Sequence, residues 1–219
     1  MAGSDCSNVS PTICRLPAAT ASMVSAAVCH YLGRSYGDRA LRWFYRYLGM
    51  PAEQVDKFER GEMTPDQWRG FRLVRGTYGQ RQDGVQMMRI KAPQGIVSSA
   101  QMRAFANASA RYSRGFGHVT TRQNIQLHFV LLSDVESAMR DLAAEGLTTR
   151  EACGNAVRNI TGCPYAGTSP TEIFDTTPYA EALTRYFLRH RLSGSLPRKF
   201  KIAFEGCRED HAVAAINDI

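Results

Sequence analysis

The chain contains no apolar run long enough to cross a bilayer. A spanning helix needs roughly 18 or more predominantly apolar residues in succession. The most apolar stretch, residues 16–32, is interrupted by Ser, Thr, Pro and His. We therefore predict no membrane span. The 219 residues, 44% of them hydrophobic, are sufficient for a globular protein with one core or two small ones.

Closely spaced cysteines are also lacking. The sequence has no C-x-x-C pair and no obvious disulfide framework. This usage predicts reduced thiols in a cytoplasmic protein. The six scattered cysteines are Cys6, Cys14, Cys29, Cys153, Cys163 and Cys207.

Acidic residues are fewer than basic ones. The chain has 20 Asp and Glu against 27 Lys and Arg, a formal net charge of +7. This balance favours an anionic partner, whether nucleic acid, acidic lipid, a polycarboxylate cofactor or a small oxyanion, and charge alone does not choose among them. Residues 1–33 hold only one acidic residue, Asp5. We interpret residues 1–50 as an N-terminal extension, for which a loose tail is a simpler explanation than a targeting segment.

Alternating hydrophobicity predicts strands in the middle of the chain. Residues 85–91 form the first strand. Residues 116–120 and 125–132 form two more, and the four residues between them indicate a hairpin. A further strand over residues 147–151 would complete a ferredoxin-like β-α-β-β-α-β unit.

Two capping boxes predict helices between these strands. Ser98 with Gln101 opens a helix that should extend to about residue 111. Ser133 with Glu136 opens a second one, closed by Gly146. The resulting order is strand, helix, strand, strand, helix, which is typical of the α+β class.

The pattern changes at about residue 151. Residues 51–151 are predicted to form a ferredoxin-like half-domain. Residues 152–219 are predicted to begin an α/β domain, with a helix over residues 152–161, another that has Thr177 as its N-cap and Pro178 at its first position, and a strand over residues 199–205.

Several basic side chains are placed where an anion could bind. Period two puts Lys199 and Lys201 on one face of their strand, roughly 6 to 7 Å apart. Such a pair is repulsive unless an anion or carboxylate lies between the ammonium groups. Arg122 sits on the hairpin turn, as recognition of a carboxylate requires, and Arg89 needs a partner if its strand is buried. A solvated edge, a solvent-facing turn and a salt bridge are the alternative explanations.

Five short motifs follow one another along the chain. They are YGQRQ at residues 78–82, MMRIK at 87–91, TTRQNIQLH at 120–128, NAVRN at 155–159 with Cys163, and LPRKFK at 196–201. In this order they resemble the motifs of assimilatory nitrite and sulfite reductases, which depend on sirohaem and a [4Fe–4S] cluster. Each motif alone is unspecific, whereas five in order are specific. The resemblance covers residues 52–219.

The resemblance implies a sirohaem site with an oxyanion substrate. Arg and Lys suit both, because they neutralise carboxylates and oxyanions, and a lysine can protonate a departing oxygen. The cofactor's iron would act on the bonds to be broken. The residues implied to line the substrate side are Arg89, Arg158, Lys199 and Lys201. Those implied to contact the sirohaem are Arg122, Thr120, Gln126, Asn159 and His118, the last at a position where some relatives have arginine.

The resemblance also implies parts that this sequence does not contain. The family attaches its cluster through four cysteines in two close pairs, and Cys153, Cys163 and Cys207 form no such pairs. We therefore predict no metal ligands here. The expectation is the N-terminal portion of a reductase that converts sulfite to sulfide or nitrite to ammonia. It would receive electrons from a ferredoxin or flavoprotein, require a separate C-terminal half and be inactive alone.

Two other functions remain open. A basic ferredoxin-like domain could bind RNA through aromatic residues on its sheet, although the expected aromatic pairs are missing from the central strands. A non-catalytic remnant could act in assembly with a partner subunit, and this role would not require the four substrate-side cations to converge. The resemblance itself predicts neither nucleic acid nor membrane as a partner.

Overall fold

The computed structural model describes residues 52–219, which lie in a compact unit comprising residues 36–219. The predicted N-terminal extension, residues 1–50, is outside the described residues. Within residues 52–219, no helix is both long enough and apolar enough to span a membrane.

Two helices precede the sheet, α1 (Ala52–Glu59) and α2 (Pro65–Val74). The second begins with a capping box in which the Thr64 hydroxyl accepts a hydrogen bond from the backbone three residues on, and proline occupies its first position. Trp68 is 3% exposed and stacks on Phe58 with ring centroids 4.7 Å apart. This stacking anchors both helices to the core.

Four strands form an antiparallel sheet in the order β1-β2-β4-β3. The predicted hairpin is confirmed, because β3 pairs with β4. The central strand β2 pairs with β1 on one side and β4 on the other. The strands are β1 (Thr77–Gly79), β2 (Val85–Ile90), β3 (His118–Val119) and β4 (Ile125–Leu131).

One face of the sheet packs against α3 (Ser99–Tyr112) and α4 (Val135–Ala144). Alternation along β2 sends every second side chain to this face, while a register shift in β4 keeps Leu127 and Val130 on it although they are three residues apart. Full burial of each large apolar side chain stabilises the fold by about 1.5–3 kcal/mol. The core between sheet and helices includes Met88, Ile90, Leu127, Val130, Phe105, Val135, Met139 and Leu142. The α+β prediction is confirmed.

The two predicted capping boxes have different outcomes. Ser98 Oγ accepts from Gln101 N at 3.1 Å, and Gln101 Oε1 accepts from Ser98 N at 3.0 Å, as predicted. The box at Ser133 is wrong. A 3-10 turn over Leu132–Asp134 precedes α4, and the capping residue, Asp134, makes no side-chain capping bond among the described residues.

The strand predicted over residues 147–151 is also wrong. Thr148 forms only an isolated bridge with Lys91. Lys91 N donates to Thr148 O at 2.8 Å, and Arg89 N, two residues earlier on the same edge of β2, donates to Gly76 O at 2.9 Å. The edge that a fourth ferredoxin strand would fill is therefore shared between the β1 segment and Thr148.

The C-terminal part differs most from its prediction. The helix predicted over residues 152–161 is wrong, since this segment pairs with residues 193–204 through bonds such as Arg158 N to Phe200 O at 2.9 Å. The strand predicted over residues 199–205 is reduced to two residues. Two short parallel strands result, β5 (Thr161–Gly162) and β6 (Ala203–Phe204).

One further helix, α5 (Thr177–Phe187), connects these strands. It carries Pro178 in its first turn as predicted, but its N-cap is Thr176 rather than Thr177. The Asp175 side chain accepts a hydrogen bond from Thr177 N at 2.8 Å. A carboxylate in this position satisfies one of the free backbone donors at the helix start.

Candidate functional site

Three of the predicted residues lie side by side on the sheet face opposite α3 and α4. Gln126 on β4 is the register partner of Arg89 on β2 and of His118 on β3. With its amide oxygen turned toward the guanidinium, Gln126 accepts from Arg89 Nε at 2.9 Å and from Nη2 at 2.6 Å. An amide therefore supplies the partner that Arg89 was predicted to need.

His128 lies next to this row, against His118. The rings of His118 and His128 stack with centroids 5.7 Å apart. Burial lowers the pKa of His128, and the nearby His118 and Arg89 lower it further. His118 is exposed, so of the two it is the ring available to a bound group.

Lys91 is a buried cation that the sequence analysis did not assign to the site. Its side chain is 5% exposed, and Nζ donates to Val157 O at 3.2 Å. Its pKa is lowered to about 8, chiefly by burial, with Glu151 opposing the shift and Arg158 adding to it. The sequence feature that could have identified Lys91 as a site residue is its position in the MMRIK motif, two residues after Arg89.

Three cations lie near enough to one thiol to lower its pKa. Cys153 is fully buried, and burial raises its pKa to about 12. Arg89, Arg158 and Lys91 all act in the opposite direction on this pKa. We call Arg89, Lys91 and Arg158 the cation cluster. It brings together two of the four residues predicted to line the substrate side.

The other two, Lys199 and Lys201, flank Phe200. The Phe200 carbonyl accepts from the backbone of Arg158, which brings this segment beside the cation cluster. Lys199 is exposed. Lys201 Nζ donates to the carbonyl of Ile216.

Arg122 connects the hairpin tip to the C-terminal part. Its Nη1 donates to Asn217 Oδ1 at 2.8 Å, and Nη2 donates to Asn159 O at 2.7 Å and to Ile202 O at 3.1 Å. Burial lowers the pKa of Arg122, the neighbouring Arg158 lowers it further, and Asp218 opposes the shift. Most of its donors are therefore used within the protein.

Asn159 and Thr120 complete this second group. Asn159 is 1% exposed, and its Nδ2 donates to Ala92 O at 2.8 Å and Arg122 O at 2.9 Å. Thr120 Oγ1 donates to Asn124 Oδ1 at 2.6 Å and accepts from Arg122 N at 3.3 Å. Thr120, Arg122 and Asn159 thus lie together at the hairpin tip.

Some buried polar atoms of these residues are not satisfied within the protein. Leaving a buried donor or acceptor unpaired costs about 1–3 kcal/mol, so such atoms in a site point to a ligand. Combined with the cation cluster, the unpaired guanidinium donors among them fit a group that carries carboxylates or an oxyanion. Within residues 52–219, the atoms without a partner include Arg122 Nε, Arg158 Nε and Asn159 Oδ1.

The described cysteines do not fit a [4Fe–4S] cluster. Such a cluster is held by four thiolates, and residues 52–219 contain only three cysteines. Cys153 is packed against the cations, while Cys163 and Cys207 are paired with each other, their sulfurs 3.7 Å apart. The sulfurs of Cys163 and Cys207 form a separate group with His211. The sequence analysis did not identify this group because Cys163 lies 44 residues before Cys207.

Two family models match this part of the chain. The nitrite/sulfite reductase ferredoxin-like half domain matches residues 78–145, and the nitrite and sulphite reductase 4Fe-4S domain matches residues 153–219. Their order is the order in which the sheet and the C-terminal part occur here. The ferredoxin-like prediction is confirmed by the first match, whereas the boundary at residues 151–152 remains a prediction.

Curated relatives carry both activities in their names. The assimilatory ferredoxin-dependent nitrite reductase of Haloferax mediterranei is 33% identical over 196 residues, covering 84% of this chain and 33% of the relative. The ferredoxin–nitrite reductase of Synechococcus elongatus is 41% identical over 138 residues, which cover 61% and 27% of the two chains. The sulfite reductase [ferredoxin] 1 of Mycolicibacterium paratuberculosis is 36% identical over 134 residues, which cover 59% of this chain and 24% of the relative.

A solved structure has the same fold over most of this chain. The NirA protein of Mycobacterium tuberculosis aligns with a TM-score of 0.66 and 29% identity, covering 75% of this chain and 35% of that one. This chain thus spans about a third, or less, of the length of the relatives that it matches.

Proposed function

The chain belongs to the nitrite/sulfite reductase family, and from this we propose that it is the N-terminal portion of a sirohaem-dependent reductase. The substrate would be nitrite, reduced to ammonia, or sulfite, reduced to sulfide. The cation cluster supports this assignment, because it holds three buried or half-buried cations, whereas one buried carboxylate, Glu151, acts on Lys91. One carboxylate offsets only part of the repulsion among three cations, so a bound anion would stabilise the cluster.

The substrate side would be formed by the residues that the resemblance assigns to it, together with Lys91. Arg89 and Arg158 would donate charge-assisted hydrogen bonds to the oxyanion, which are roughly twice as strong as neutral ones. Lys199 and Lys201 follow on the segment paired with Arg158, and either ammonium could protonate a departing oxygen. Lys91 Nζ is bonded to Val157 O, so it would act through its charge.

The sirohaem side would be formed by the hairpin tip and the row of side chains on the sheet. Arg122 Nε is the buried, unpaired donor that could serve a carboxylate of the macrocycle. Asn159, Thr120, Gln126 and His118 border the same region. When bound, sirohaem would supply the iron that binds and reduces the substrate. These residues would orient the macrocycle and neutralise its carboxylates.

The remaining components would come from elsewhere in the reductase. We propose that the cluster-ligating cysteines lie in a C-terminal half, since the described cysteines do not fit a [4Fe–4S] cluster. Ferredoxin is the proposed electron donor, because the names of the relatives include it. A cytoplasmic location, predicted from cysteine usage, remains part of the proposal.

The test is reconstitution of the two halves. The chain would be co-expressed with sirohaem synthesis, alone and with the C-terminal half of a relative, and its absorption spectrum and iron content measured. We expect sirohaem bands only with both halves. The double variant Lys199→Gln/Lys201→Gln should keep the bands but bind nitrite or sulfite at least about tenfold more weakly, which corresponds to 1.4 kcal/mol.

A matched control separates site charge from net charge. Lys57→Gln/Arg103→Gln removes the same two charges from α1 and α3, away from the site, and should leave the anion Kd unchanged. Equal Kd values for the two double variants would contradict the substrate-side assignment. Absence of sirohaem bands from the reconstituted pair would contradict the proposed function itself.

A further inference from the structure

Two cysteines and a histidine meet where β5 and β6 end. Cys163 follows β5 directly, while Cys207 and His211 lie on the loop after β6. The two strands are parallel, so their carboxyl ends lie at the same edge, where ligands commonly bind in parallel sheets. Both thiols are buried and free.

The two distances from Cys163 to the other side chains match a tetrahedral zinc site. The two sulfurs are 3.7 Å apart, and Cys163 Sγ lies 3.5 Å from His211 Nδ1. With Zn–S near 2.3 Å and Zn–N near 2.05 Å, a tetrahedral angle gives S···S of about 3.8 Å and S···N of about 3.6 Å. All the potential ligand atoms of the group lie within 4.8 Å of one another.

Glu205, the fourth member of the group, holds the loop that carries two of these ligands. Its Oε1 accepts from Gly206 N and Cys207 N, and its Oε2 accepts from His211 N and Ala212 N, at 2.8–2.9 Å. These four bonds use most of the acceptor capacity of the carboxylate, about four lone-pair positions, and Glu205 also has a side-chain hydrogen bond with Cys163. We therefore assign Glu205 to positioning the loop that carries Cys207 and His211.

We propose that Cys163, Cys207 and His211 bind a zinc ion, with water in the fourth position. Among the divalent metals of cells, zinc is the one that a set of two thiolates and an imidazole favours. Cys163 also lies in the wall of a cavity of about 790 Å³, which provides the access route that a metal ion needs. The ion would fasten the C-terminal loop to the end of β5.

This site is distinct from the family's cluster. In a [4Fe–4S] cluster the four cysteine thiolates ligate different irons, whereas here one ion between two sulfurs 3.7 Å apart accounts for the geometry. A disulfide would require the sulfurs to approach to about 2.05 Å and would leave His211 without a role.

The experiment measures metal content in the full chain, without sirohaem. A background with Cys6, Cys14 and Cys29 changed to Ser restricts thiols to the described part. After zinc loading and desalting under reducing conditions, we expect close to one zinc ion per chain. Cys163→Ser, Cys207→Ser and His211→Ala should each reduce retained zinc at least tenfold, whereas the control Cys153→Ser should retain it.

Cobalt substitution reports the ligands directly. With cobalt in sufficient excess to fill the weaker variants, the background protein should show a thiolate-to-cobalt charge-transfer band. Removal of either Cys163 or Cys207 should about halve the intensity of this band per bound cobalt ion. His211→Ala should keep both sulfur bonds and shift the visible bands. Chelation of the unsubstituted site should lower Tm, and zinc should restore it. This readout applies even where a ligand variant fails to fold.

Several results would overturn the proposal. These are equal zinc retention in all variants, zinc loss only with Cys153→Ser, iron with acid-labile sulfide in an anaerobic preparation, or a Cys163–Cys207 disulfide that forms without any effect of metal. Because sirohaem and the C-terminal half are absent, these results do not depend on whether the reductase assignment is correct.

Discussion

The side-chain amide of Asn159 joins segments from three parts of the protein. Its Nδ2 donates to the carbonyl of Ala92, just after β2, and to the carbonyl of Arg122, at the hairpin tip. The backbone of Asn159 itself lies just before β5. The residue is 1% exposed, so water cannot replace these bonds. A single side chain here positions the predicted sirohaem side, independently of whether it also contacts the cofactor.

Asn159→Ala should lower the free energy of unfolding by about 2–4 kcal/mol, because it leaves a buried carbonyl unpaired and opens a cavity. Urea unfolding with an unchanged m value would measure this loss. The control is Asn107→Ala, an exposed position on α3, which should change stability by less than about 0.5 kcal/mol. Similar losses in the two variants would show that the bonds of Asn159 contribute little.

Lys91 should make stability depend on alkaline pH. Burial lowers its pKa from 10.5 to about 8, so between these values the unfolded chain binds more protons than the folded one. Stability contributed by this group therefore rises with pH through that window. The free energy of unfolding of Lys91→Met minus that of the unsubstituted chain should have its most positive value at pH 7. It should decrease toward pH 10 by an amount on the order of a few kcal/mol at most.

Lys57→Met, on the surface of α1, is the matched loss of a lysine. Its free-energy difference should change less over the same pH range than that of Lys91→Met. A Lys91→Met difference that stays constant between pH 7 and 10 would show that Lys91 is not held in the buried state that the structure describes.

At the scale of elements, the two serine positions offer a direct comparison. Ser98→Ala removes the capping bond that Ser98 Oγ accepts from Gln101 N, while the bond from Ser98 N to Gln101 Oε1 does not need the serine side chain. Loss of the side-chain cap should lower the free energy of unfolding by about 1 kcal/mol. Ser133→Ala should change it by less than about 0.5 kcal/mol, because Ser133 lies within the 3-10 turn before α4 and is exposed. Thermal unfolding of both variants tests this, and a larger loss for Ser133→Ala would contradict the assigned start of α4.

This comparison also shows where sequence was sufficient to predict structure. The strands around residues 85–91 and 125–132, the hairpin that joins the latter strand to residues 116–120, and the box at Ser98 depend on neighbours in sequence, and they form as predicted. Residues 152–161 have a composition compatible with a helix, but Val157 bridges Phe200, and Arg158 N donates to the same residue. Pairing with a segment some 40 residues away overrides a weak local preference.

The candidate site follows the same rule. The row formed by Arg89, Gln126 and His118 could be derived from strand positions, because register partners share a face. The group of Cys163, Cys207 and His211 could not, since Cys163 and Cys207 are separated by 44 residues and no short spacing reveals their contact. Only the pairing of β5 with β6 brings these side chains together.

At the scale of the whole molecule, side chains from the hairpin tip hold the C-terminal part onto the sheet. Gln123 donates to Gly162 O at 2.7 Å and accepts from Gly162 N at 2.9 Å. Arg122 adds three bonds to Asn159, Ile202 and Asn217. The region after residue 152 has few regular elements of its own in the described part of the chain. Its local stability should therefore depend on these contacts.

Arg122→Gln should consequently loosen the C-terminal part while leaving the sheet intact. Hydrogen exchange of the Arg158 and Thr161 amides, which bond to Phe200 and Ile202, should become at least about tenfold faster, because losing 1.4 kcal/mol of local stability suffices. Exchange in β2 and β4 should not change. The control Arg111→Gln breaks an exposed ion pair with Asp141 on the helical side and should leave both regions unaffected. Uniform acceleration in Arg122→Gln, with the sheet exchanging as fast as the C-terminal part, would instead mean that the two parts unfold as one cooperative unit.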